Sequence, residues 1–348
     1  MRALRYDTFG GALQVVEIPD PTPEPDGAVI EVALTGLCRS DFHAWTGHDA
    51  DVVLPCIPGH EYAGVVRAAP SDPDLVGRRV VVPFVCACGA CPECRRGSGQ
   101  ICRTQRQPGF TDPGSFAQFV AVPHARVNLV PLPDAVSDPA AAALGCRFAT
   151  AWRALTAVAR LRPGETVAVY GAGGVGLAAV MIARALGAHS VVVDISAAAL
   201  VRATSLGATT IGVGAAATAQ EIAALVRQVA PDGTDCGLDA LGSPTLATAS
   251  LAALRRGGRH VQVGLLDRPL SELPLELVVS RELQVLGSHG MAAGDYSELL
   301  AAVVAGEVEP DALVSDVISL AEAAAALPDL ATPDEAAPGG IRLIDPSR

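Results

Sequence analysis

Lysine is missing from this sequence of 348 residues, because all 25 basic residues are arginines. A mechanism that depends on a lysine amine, such as Schiff-base formation, is therefore excluded. Acidic residues outnumber basic ones by 37 to 25, and the net charge of -12 argues against a nucleic-acid partner. A phosphate-binding protein needs a basic face, which this balance does not supply.

Long hydrophobic runs are also missing, although 50% of the residues are hydrophobic. No apolar stretch reaches the roughly 18 residues that a membrane helix needs, so we expect no membrane partner. The first residues, MRALRYDTFGG, lack the apolar segment of a signal peptide. We therefore expect a cytoplasmic protein, in which the nine cysteines serve metal binding or catalysis rather than disulfides.

The pattern of apolar runs and turn residues changes near residue 148, which predicts two domains. Before it, short apolar runs such as AVIEVALTG (28–36) and RRVVVPFV (78–85) are separated by Pro and Gly clusters, a pattern typical of short strands. From 148 to 289, Val-rich strands alternate with Ala-rich helices, which predicts a doubly wound parallel sheet of the Rossmann type. After 290 we predict helices over 295–305 and 320–327 and a strand over 341–344.

A glycine turn opens the first helix of the second domain. The run GAGGVG has G-x-G-x-x-G register directly after a strand, and Asp194 ends the next strand. Glycines there permit a tight turn, close approach of pyrophosphate and tight helix packing, with the phosphates at the helix N-terminus. Asp194 would accept hydrogen bonds from the adenine ribose and repel a 2′-phosphate, which favours NAD over NADP. The predicted contacts of the turn are Gly171, Gly173, Gly174, Val175 and Gly176.

Four cysteines lie close together in CGACPECRRGSGQIC. Cys88, Cys91 and Cys94 are three residues apart, and Cys102 follows eight residues later. Four thiolates at such spacings suit a tetrahedral structural zinc. An iron–sulfur cluster also uses closely spaced cysteines and stays open as an alternative.

A second candidate metal group is scattered along the chain. Cys38, His60 and Cys146 supply two thiolates and one imidazole, and a catalytic zinc takes about three protein ligands with one open position. A lone histidine beside glycine is more often structural, but its conjunction with a dinucleotide turn favours a metal site.

At this point the sequence resembles the zinc-dependent medium-chain dehydrogenase/reductase family, of the alcohol dehydrogenase type. GLCRSDFHAWTG, PGHEYAG, CGACPECRRGSGQIC, LGCRFATAWRAL and VAVYGAGGVGL occur in the family's order and span essentially the whole chain. The resemblance implies a GroES-like catalytic domain over 1–147 and 290–348, which holds both zinc sites, and an NAD-binding Rossmann domain over 148–289.

The resemblance also implies roles for individual residues. It makes Cys38, His60 and Cys146 the catalytic zinc ligands and the four clustered cysteines the structural ones. Ser40 and His43 match a proton relay, Asp41 an acid that holds the imidazole ligand, and Glu61 an acid that can approach the metal transiently. The residues that match cofactor contacts are Arg39, Thr150, Asp194, Gly264 and Arg342.

The function implied is reversible hydride transfer between a primary or secondary, largely apolar alcohol and NAD, giving an aldehyde or ketone. Trp45, Phe84 and Leu265 match apolar pocket positions. A polyol or amino-alcohol dehydrogenase of the same fold is the alternative, and a non-catalytic NAD-binding protein is a third possibility. Cys146 departs from the polyol branch, which tends to place a carboxylate there. The run RELQVLGS (281–288) predicts strand pairing across a two-fold axis, hence a homodimer or homotetramer.

Overall fold

The structure, a computed structural model, describes residues 1–266, 274–331 and 340–348. It confirms the predicted α/β class, with a parallel Rossmann-like sheet in one unit and a β-rich, mostly antiparallel sheet in the other. Within the described residues, one compact unit comprises Met1–Ala149 with the segments 290–331 and 341–348. The other comprises Thr150–His289 and Gly340. No helix in the described ranges is long and apolar enough to cross a bilayer.

The first unit is built on β3, which lies at the centre of a seven-stranded sheet in the order β14-β15-β3-β4-β5-β7, with β6 also paired to β3. Strand β3 pairs antiparallel with β4, β6 and β15. Inward-facing residues of β3, β4, β5 and β6, most of them valines, pack into one buried cluster. The strands are β1 (Arg2–Arg5), β2 (Gln14–Glu17), β3 (Ala28–Leu37), β4 (Tyr62–Ala68), β5 (Arg79–Val82), β6 (Phe119–Val122), β7 (Val130–Pro131), β14 (Val314–Ser319) and β15 (Ile341–Asp345).

Short helices fill the connections of the first unit. Several begin at a side-chain cap, such as Ser137 or Ser319, whose hydroxyl accepts a backbone N–H of the first turn. The helices are α1 (Arg39–Trp45), α2 (Pro92–Arg95), α3 (Ala125–Asn128), α4 (Asp138–Ala143), α5 (Arg147–Arg153, which runs into the second unit), α11 (Tyr296–Val304) and α12 (Leu320–Asp329). Single 3-10 turns occur at Pro73–Leu75, Gly99–Ile101, Ala293–Asp295 and Pro310–Leu313.

The second unit is a six-stranded parallel sheet in the order β10-β9-β8-β11-β12-β13. Its central strands are rich in valine and buried, as expected of strands covered on both faces. The strands are β8 (Thr166–Tyr170), β9 (His189–Asp194), β10 (Thr209–Gly212), β11 (Thr234–Asp239), β12 (Leu254–Gln262) and β13 (Gln284–Gly287). The helices are α6 (Gly174–Ala185), α7 (Ala197–Ser205), α8 (Ala219–Val229), α9 (Pro244–Ala253) and α10 (Leu275–Arg281), after a π-helical turn at Ala154–Val158.

The tail contains one strand that the sequence did not predict. The helices expected over 295–305 and 320–327 are α11 and α12, and the strand expected over 341–344 is β15. Strand β14 lies between those helices and pairs parallel to β15. Its side chains are partly exposed on both faces, so VSDVIS lacks the clear apolar alternation that marks a half-buried strand.

Candidate functional site

Three sulfur and nitrogen donors come together in the first unit. Cys38 follows β3 and precedes α1, His60 lies just before β4, and Cys146 lies just before α5. Their donor atoms all lie within 4.8 Å of one another, and all three residues are buried. We call Cys38, His60 and Cys146 the three-ligand group.

The imidazole of His60 is held at one nitrogen and bare at the other. Its Nδ1 lies 2.8 Å from Oδ1 of Asp41, and the same oxygen accepts the Gly59 N–H at 3.1 Å. Oδ2 of Asp41 accepts the Cys38 N–H at 3.0 Å. Nε2 is buried and has no hydrogen-bond partner among the described residues. A buried nitrogen without a partner is costly, and a metal ion at Nε2 removes that cost, so the donor set fits a metal.

The surroundings of Cys38 favour its thiolate. A hydrogen bond from the Cys146 thiol, the positive charge of Arg147 and contact with His60 hold the pKa of Cys38 well below its ordinary value, against the effect of burial. Thiolate is the form that binds metal. Cys38 therefore favours the form that can bind zinc, whereas its hydrogen bond to Cys146 and burial raise the pKa of the Cys146 thiol well above its ordinary value.

Glu61 lies against Arg147, which sequence reasoning missed. Oε1 of Glu61 accepts the Arg147 backbone N–H at 2.8 Å, and Oε2 accepts Nε at 2.7 Å and also contacts Nη2. Burial raises the pKa of Glu61, and the guanidinium opposes that rise. The carboxylate expected to approach the metal is thus bonded to a guanidinium in this structure. The available signal was an arginine directly after a predicted ligand in an otherwise apolar run.

Two aromatic rings pack on the edge of His60. Phe84 lies 6.1 Å away between ring centroids and Phe110 lies 5.3 Å away, both in edge-to-face geometry. Phe84 was predicted to line a pocket, whereas Phe110 was not found from the sequence. Trp45, also predicted there, is partly buried, and its Nε1 donates to the Gly11 carbonyl at 2.9 Å. The rings give the three-ligand group an apolar surround.

Helix α1 carries both predicted relay residues. Ser40 Oγ lies 3.8 Å from Cys38 Sγ, and His43 follows Ser40 by one helical turn, on the same side of the helix. The His43 ring meets the His48 ring edge to face at 5.7 Å. The proton relay itself stays a prediction, but the first member is beside a ligand.

The four clustered cysteines form a second donor group. Their Sγ atoms all lie within 4.8 Å of one another, with Cys91 3.4 Å from Cys94 and 3.8 Å from Cys102. A tetrahedral ion with bonds of about 2.3 Å separates its sulfurs by about 3.8 Å. A cluster that distributes its cysteines over several irons needs wider spacing, so the geometry favours one zinc over an iron–sulfur cluster. We call Cys88, Cys91, Cys94 and Cys102 the four-cysteine group.

Backbone N–H groups support the four-cysteine group. Ala90 and Cys91 donate to Cys88 Sγ at 3.4 and 3.3 Å. A hydrogen bond from Thr104, together with these two N–H groups, lowers the pKa of Cys88 to about 5. The loop is therefore arranged to hold a thiolate.

The glycine turn of the second unit has the geometry expected of a phosphate-binding turn. Gly171 has φ +99°, which favours glycine. A Cβ at Gly176 would collide with the Gly171 carbonyl, whereas one at Gly173 would meet no described protein atom within 4 Å. Protein packing therefore explains Gly176 but not Gly173, which fits a ligand lying close to the backbone there. Gly174 and Val175 begin α6.

Asp194 ends β9 beside this turn. Its Oδ2 accepts the Ala172 N–H at 2.5 Å and its Oδ1 accepts the Ser196 N–H at 2.7 Å. The side chain is partly exposed. The carboxylate is therefore fixed at the strand end beside the glycine turn.

A buried polar network supports the neighbouring strand ends and was not found from the sequence. Gln262 Nε2 donates to Asp239 Oδ2 at 2.9 Å and to the Gly264 carbonyl at 2.7 Å. His260 lies 3.1 Å from Gln262 Oε1 through Nε2 and 2.8 Å from Ser250 Oγ through Nδ1. The network fixes the loop at Gly264, which was predicted to meet the cofactor carboxamide. A Cβ at Gly264 would also collide with Gly242.

The remaining residues predicted to contact the cofactor or to line the pocket lie in different segments of the chain. Thr150 is buried in α5, and Arg39 is exposed at the start of α1. Arg342 Nε donates to Asp316 Oδ1 at 3.1 Å. Leu265, predicted to line the pocket, is 73% exposed. Their roles toward a cofactor or substrate stay predictions.

Two family descriptions match the chain. "Alcohol dehydrogenase GroES-like domain" matches residues 24–134, and "Zinc-binding dehydrogenase" matches residues 174–305. The first match covers the whole four-cysteine group and two of the three residues of the three-ligand group. The second covers the glycine turn from Gly174 onward and Asp194.

Whole-chain comparisons agree with these matches. An alcohol dehydrogenase from Geobacillus stearothermophilus is 31% identical over 89% of this chain and 90% of its own. A sorbitol dehydrogenase from Bacillus subtilis is 32% identical over 88% of this chain and 87% of its own. Among solved structures, alcohol dehydrogenase TADH from Thermus sp. ATN1 is 31% identical, with a TM-score of 0.88 over 99% of both chains. A cobalt- and zinc-bound thermostable alcohol dehydrogenase from Pyrobaculum aerophilum is 30% identical, with a TM-score of 0.84 over 99% of both chains.

Proposed function

Because this chain belongs to the zinc-dependent medium-chain dehydrogenase/reductase family, we propose that it is an NAD-dependent zinc alcohol dehydrogenase. It would transfer a hydride reversibly between a primary or secondary, largely apolar alcohol and NAD, giving an aldehyde or ketone. The observation that carries the proposal is the bare Nε2 of buried His60, beside two thiols within 4.8 Å. Three donors with a fourth position left open are what a catalytic zinc needs.

Zinc at the three-ligand group would supply a Lewis acid that eases loss of the alcohol proton, and NAD would supply the hydride acceptor. The chain's own residues do the rest. Asp41 keeps the proton of His60 on Nδ1 and so leaves Nε2 free for the metal. Ser40 accepts the alcohol proton as it gives up its own hydroxyl proton, which is passed on to His43, and His43 releases it to water, a role to which an imidazole is suited.

The cofactor proposed is NAD rather than NADP. Asp194 places a carboxylate beside the glycine turn, where it would bond both ribose hydroxyls and repel a 2′-phosphate. Two zincs per chain are proposed, one catalytic at the three-ligand group and one structural at the four-cysteine group. Arg39, Thr150, Gly264 and Arg342 are proposed to contact the cofactor.

The substrate proposed is uncharged and mostly apolar. Phe84 and Phe110 pack beside His60, and a pocket of that kind orients its ligand through few polar groups. A polyol dehydrogenase is the second candidate, because the sorbitol dehydrogenase relative is as similar as the alcohol dehydrogenase one. Cys146 in the third ligand position favours the alcohol dehydrogenase over the polyol dehydrogenase.

Turnover of benzyl alcohol, 2-butanol, sorbitol and a hydroxy acid at equal concentrations with NAD decides between these candidates. We expect kcat/KM to be highest for benzyl alcohol or 2-butanol, because sorbitol hydroxyls would be left without partners in an apolar pocket. The highest value for sorbitol would replace the proposal by the polyol alternative. No turnover with any alcohol would favour a non-catalytic NAD-binding protein.

The assembly proposed is a homodimer or homotetramer. Strand β13, in the run predicted to pair across a two-fold axis, lies at the edge of its sheet, and Val285 on it is 44% exposed. An edge strand of this kind invites pairing. Sedimentation showing a stable monomer at micromolar concentration would refute the proposal.

A cytoplasmic location is proposed because thiolate ligands need reducing conditions.

A further inference from the structure

The guanidinium of Arg147 touches all three chain segments that supply the three-ligand group. Arg147 itself follows Cys146. Its Nε and Nη2 bond the carboxylate of Glu61, the residue after His60. Its Nη1 donates to the carbonyl of Leu37, the residue before Cys38, at 3.1 Å. One side chain therefore connects the direct sequence neighbours of all three donors.

The Glu61–Arg147 ion pair is buried, and the strand beside it leaves room for both side chains. Glu61 is 0% exposed and Arg147 is 6% exposed. A Cβ at Gly36 would collide with the Glu61 carboxylate and with Arg147 Nη2, so β3 leaves room for the ion pair by carrying glycine. The Glu61 backbone is held as well, since its carbonyl accepts the Gly36 N–H at 2.7 Å and the Thr35 hydroxyl at 3.1 Å.

We propose that Arg147 is a positioning residue that fixes the spacing of the three ligands and keeps Glu61 from binding the metal. Without the guanidinium, the buried Glu61 carboxylate would face Cys38 and Cys146 with no cation except the metal, and we expect it to turn toward that ion. The planar fork of arginine bonds the carboxylate and the Leu37 carbonyl together, which a lysine amine cannot reproduce. The proposal rests on the metal site of the proposed function.

The first test measures zinc release to a chromogenic chelator, without NAD or alcohol. The four-cysteine group serves as an internal control, because its zinc lies outside the Arg147 contacts. In Arg147→Met we expect release from the three-ligand group to quicken about 10- to 100-fold, the usual effect of removing a residue that orients a ligand, with the other phase unchanged. Arg147→Lys should fall between, since it keeps the charge but not the fork. Arg106→Met removes another ion-paired arginine of the same unit and should change neither phase.

The second test uses visible absorption of the cobalt-substituted protein, which reports the number and kind of ligands. We expect Arg147→Met to change the spectrum because Glu61 joins the metal, and Arg147→Met with Glu61→Gln to restore it toward wild type. Unchanged release and spectrum in Arg147→Met would overturn the proposal, and so would wild-type release in Arg147→Lys. If Arg147→Met does not fold, the lysine variant decides. If wild type holds no metal at the three-ligand group, the proposed function fails, which is a different result from unaltered release in the variants.

Discussion

The two donor groups of the first unit both contain cysteines, but the chain supplies and supports them differently. The four-cysteine group comes from one loop between Cys88 and Cys102, is partly exposed and is supported by backbone N–H groups. The three-ligand group comes from three distant segments, is buried and is supported by the side chains of Asp41 and Arg147. Four ligands complete a tetrahedral zinc, whereas three leave a position open. Local spacing is thus enough to make a structural site, but a reactive site here needs the folded sheet to assemble it.

The largest expected effect separates the two groups by function. Cys38→Ser should reduce alcohol turnover by at least about 1,000-fold, because it removes a ligand of the ion that provides several kcal/mol of charge stabilisation. Cys94→Ser should instead lower the melting temperature, since structural zinc contributes folding energy directly. Steady-state kinetics and thermal melts of both variants check this. The comparison breaks if Cys94→Ser loses turnover while keeping its melting temperature.

A second large effect concerns the proposed cofactor site of the second unit, because the proposed reaction at the three-ligand group needs a hydride acceptor. Asp194→Gly should reduce the preference for NAD over NADP by about 100-fold or more, because like charges brought together cost several kcal/mol. Asp194 also accepts the Ala172 and Ser196 N–H groups. Asp194→Asn removes the charge but keeps one acceptor oxygen, so it retains one of these two backbone hydrogen bonds and tests the charge with less disturbance of the turn than Asp194→Gly. Faster wild-type turnover with NADP at equal concentration would show that Asp194 is misassigned.

Loss of the proton relay should have a moderate effect, confined to the reaction at the three-ligand group. His43→Gln should slow alcohol oxidation near neutral pH by about 100-fold, within the usual range for a positioned acid–base group. The loss should shrink at high pH, where hydroxide accepts the proton directly. His48→Gln, whose ring lies 5.7 Å from His43, is the matched control and should lose less. A pH profile identical to wild type in His43→Gln would make His43 a loop residue only.

The smallest effect is expected at His260, which belongs to neither metal group, and it concerns stability rather than turnover. Burial lowers the pKa of His260, so as pH falls the unfolded chain takes up this proton first. The stability that neutral His260 contributes is therefore complete above about pH 6.5 and is lost as pH falls from there through the folded pKa. His260→Gln should cost about 1 kcal/mol at neutral pH from lost hydrogen bonding and should flatten the acid side of the stability curve. Denaturant unfolding over a pH series measures this, with exposed His189→Gln as the control; an equally steep acid side would contradict it.

Much of this molecule could be predicted from its sequence because the signals are local. The Val-rich strands of the second unit, the glycine turn and Cys88–Cys102 are each contained in one short segment. The roles of Arg147, Phe110 and the His260–Gln262 network were missed, because their partners lie elsewhere along the chain and are brought close only by the fold. Strand β14 was missed for another reason: its side chains are partly exposed on both faces, so no periodicity marks it.

Metal content is the measurement that tests the central claim most directly. Elemental analysis of freshly purified wild type, Cys38→Ser and Cys94→Ser should give about two zincs per chain in the first and about one in each variant, because each site loses its ion when a ligand is removed. Retained zinc should support NAD-dependent turnover in Cys94→Ser but not in Cys38→Ser. A single zinc in wild type, or iron in place of zinc, would contradict the account.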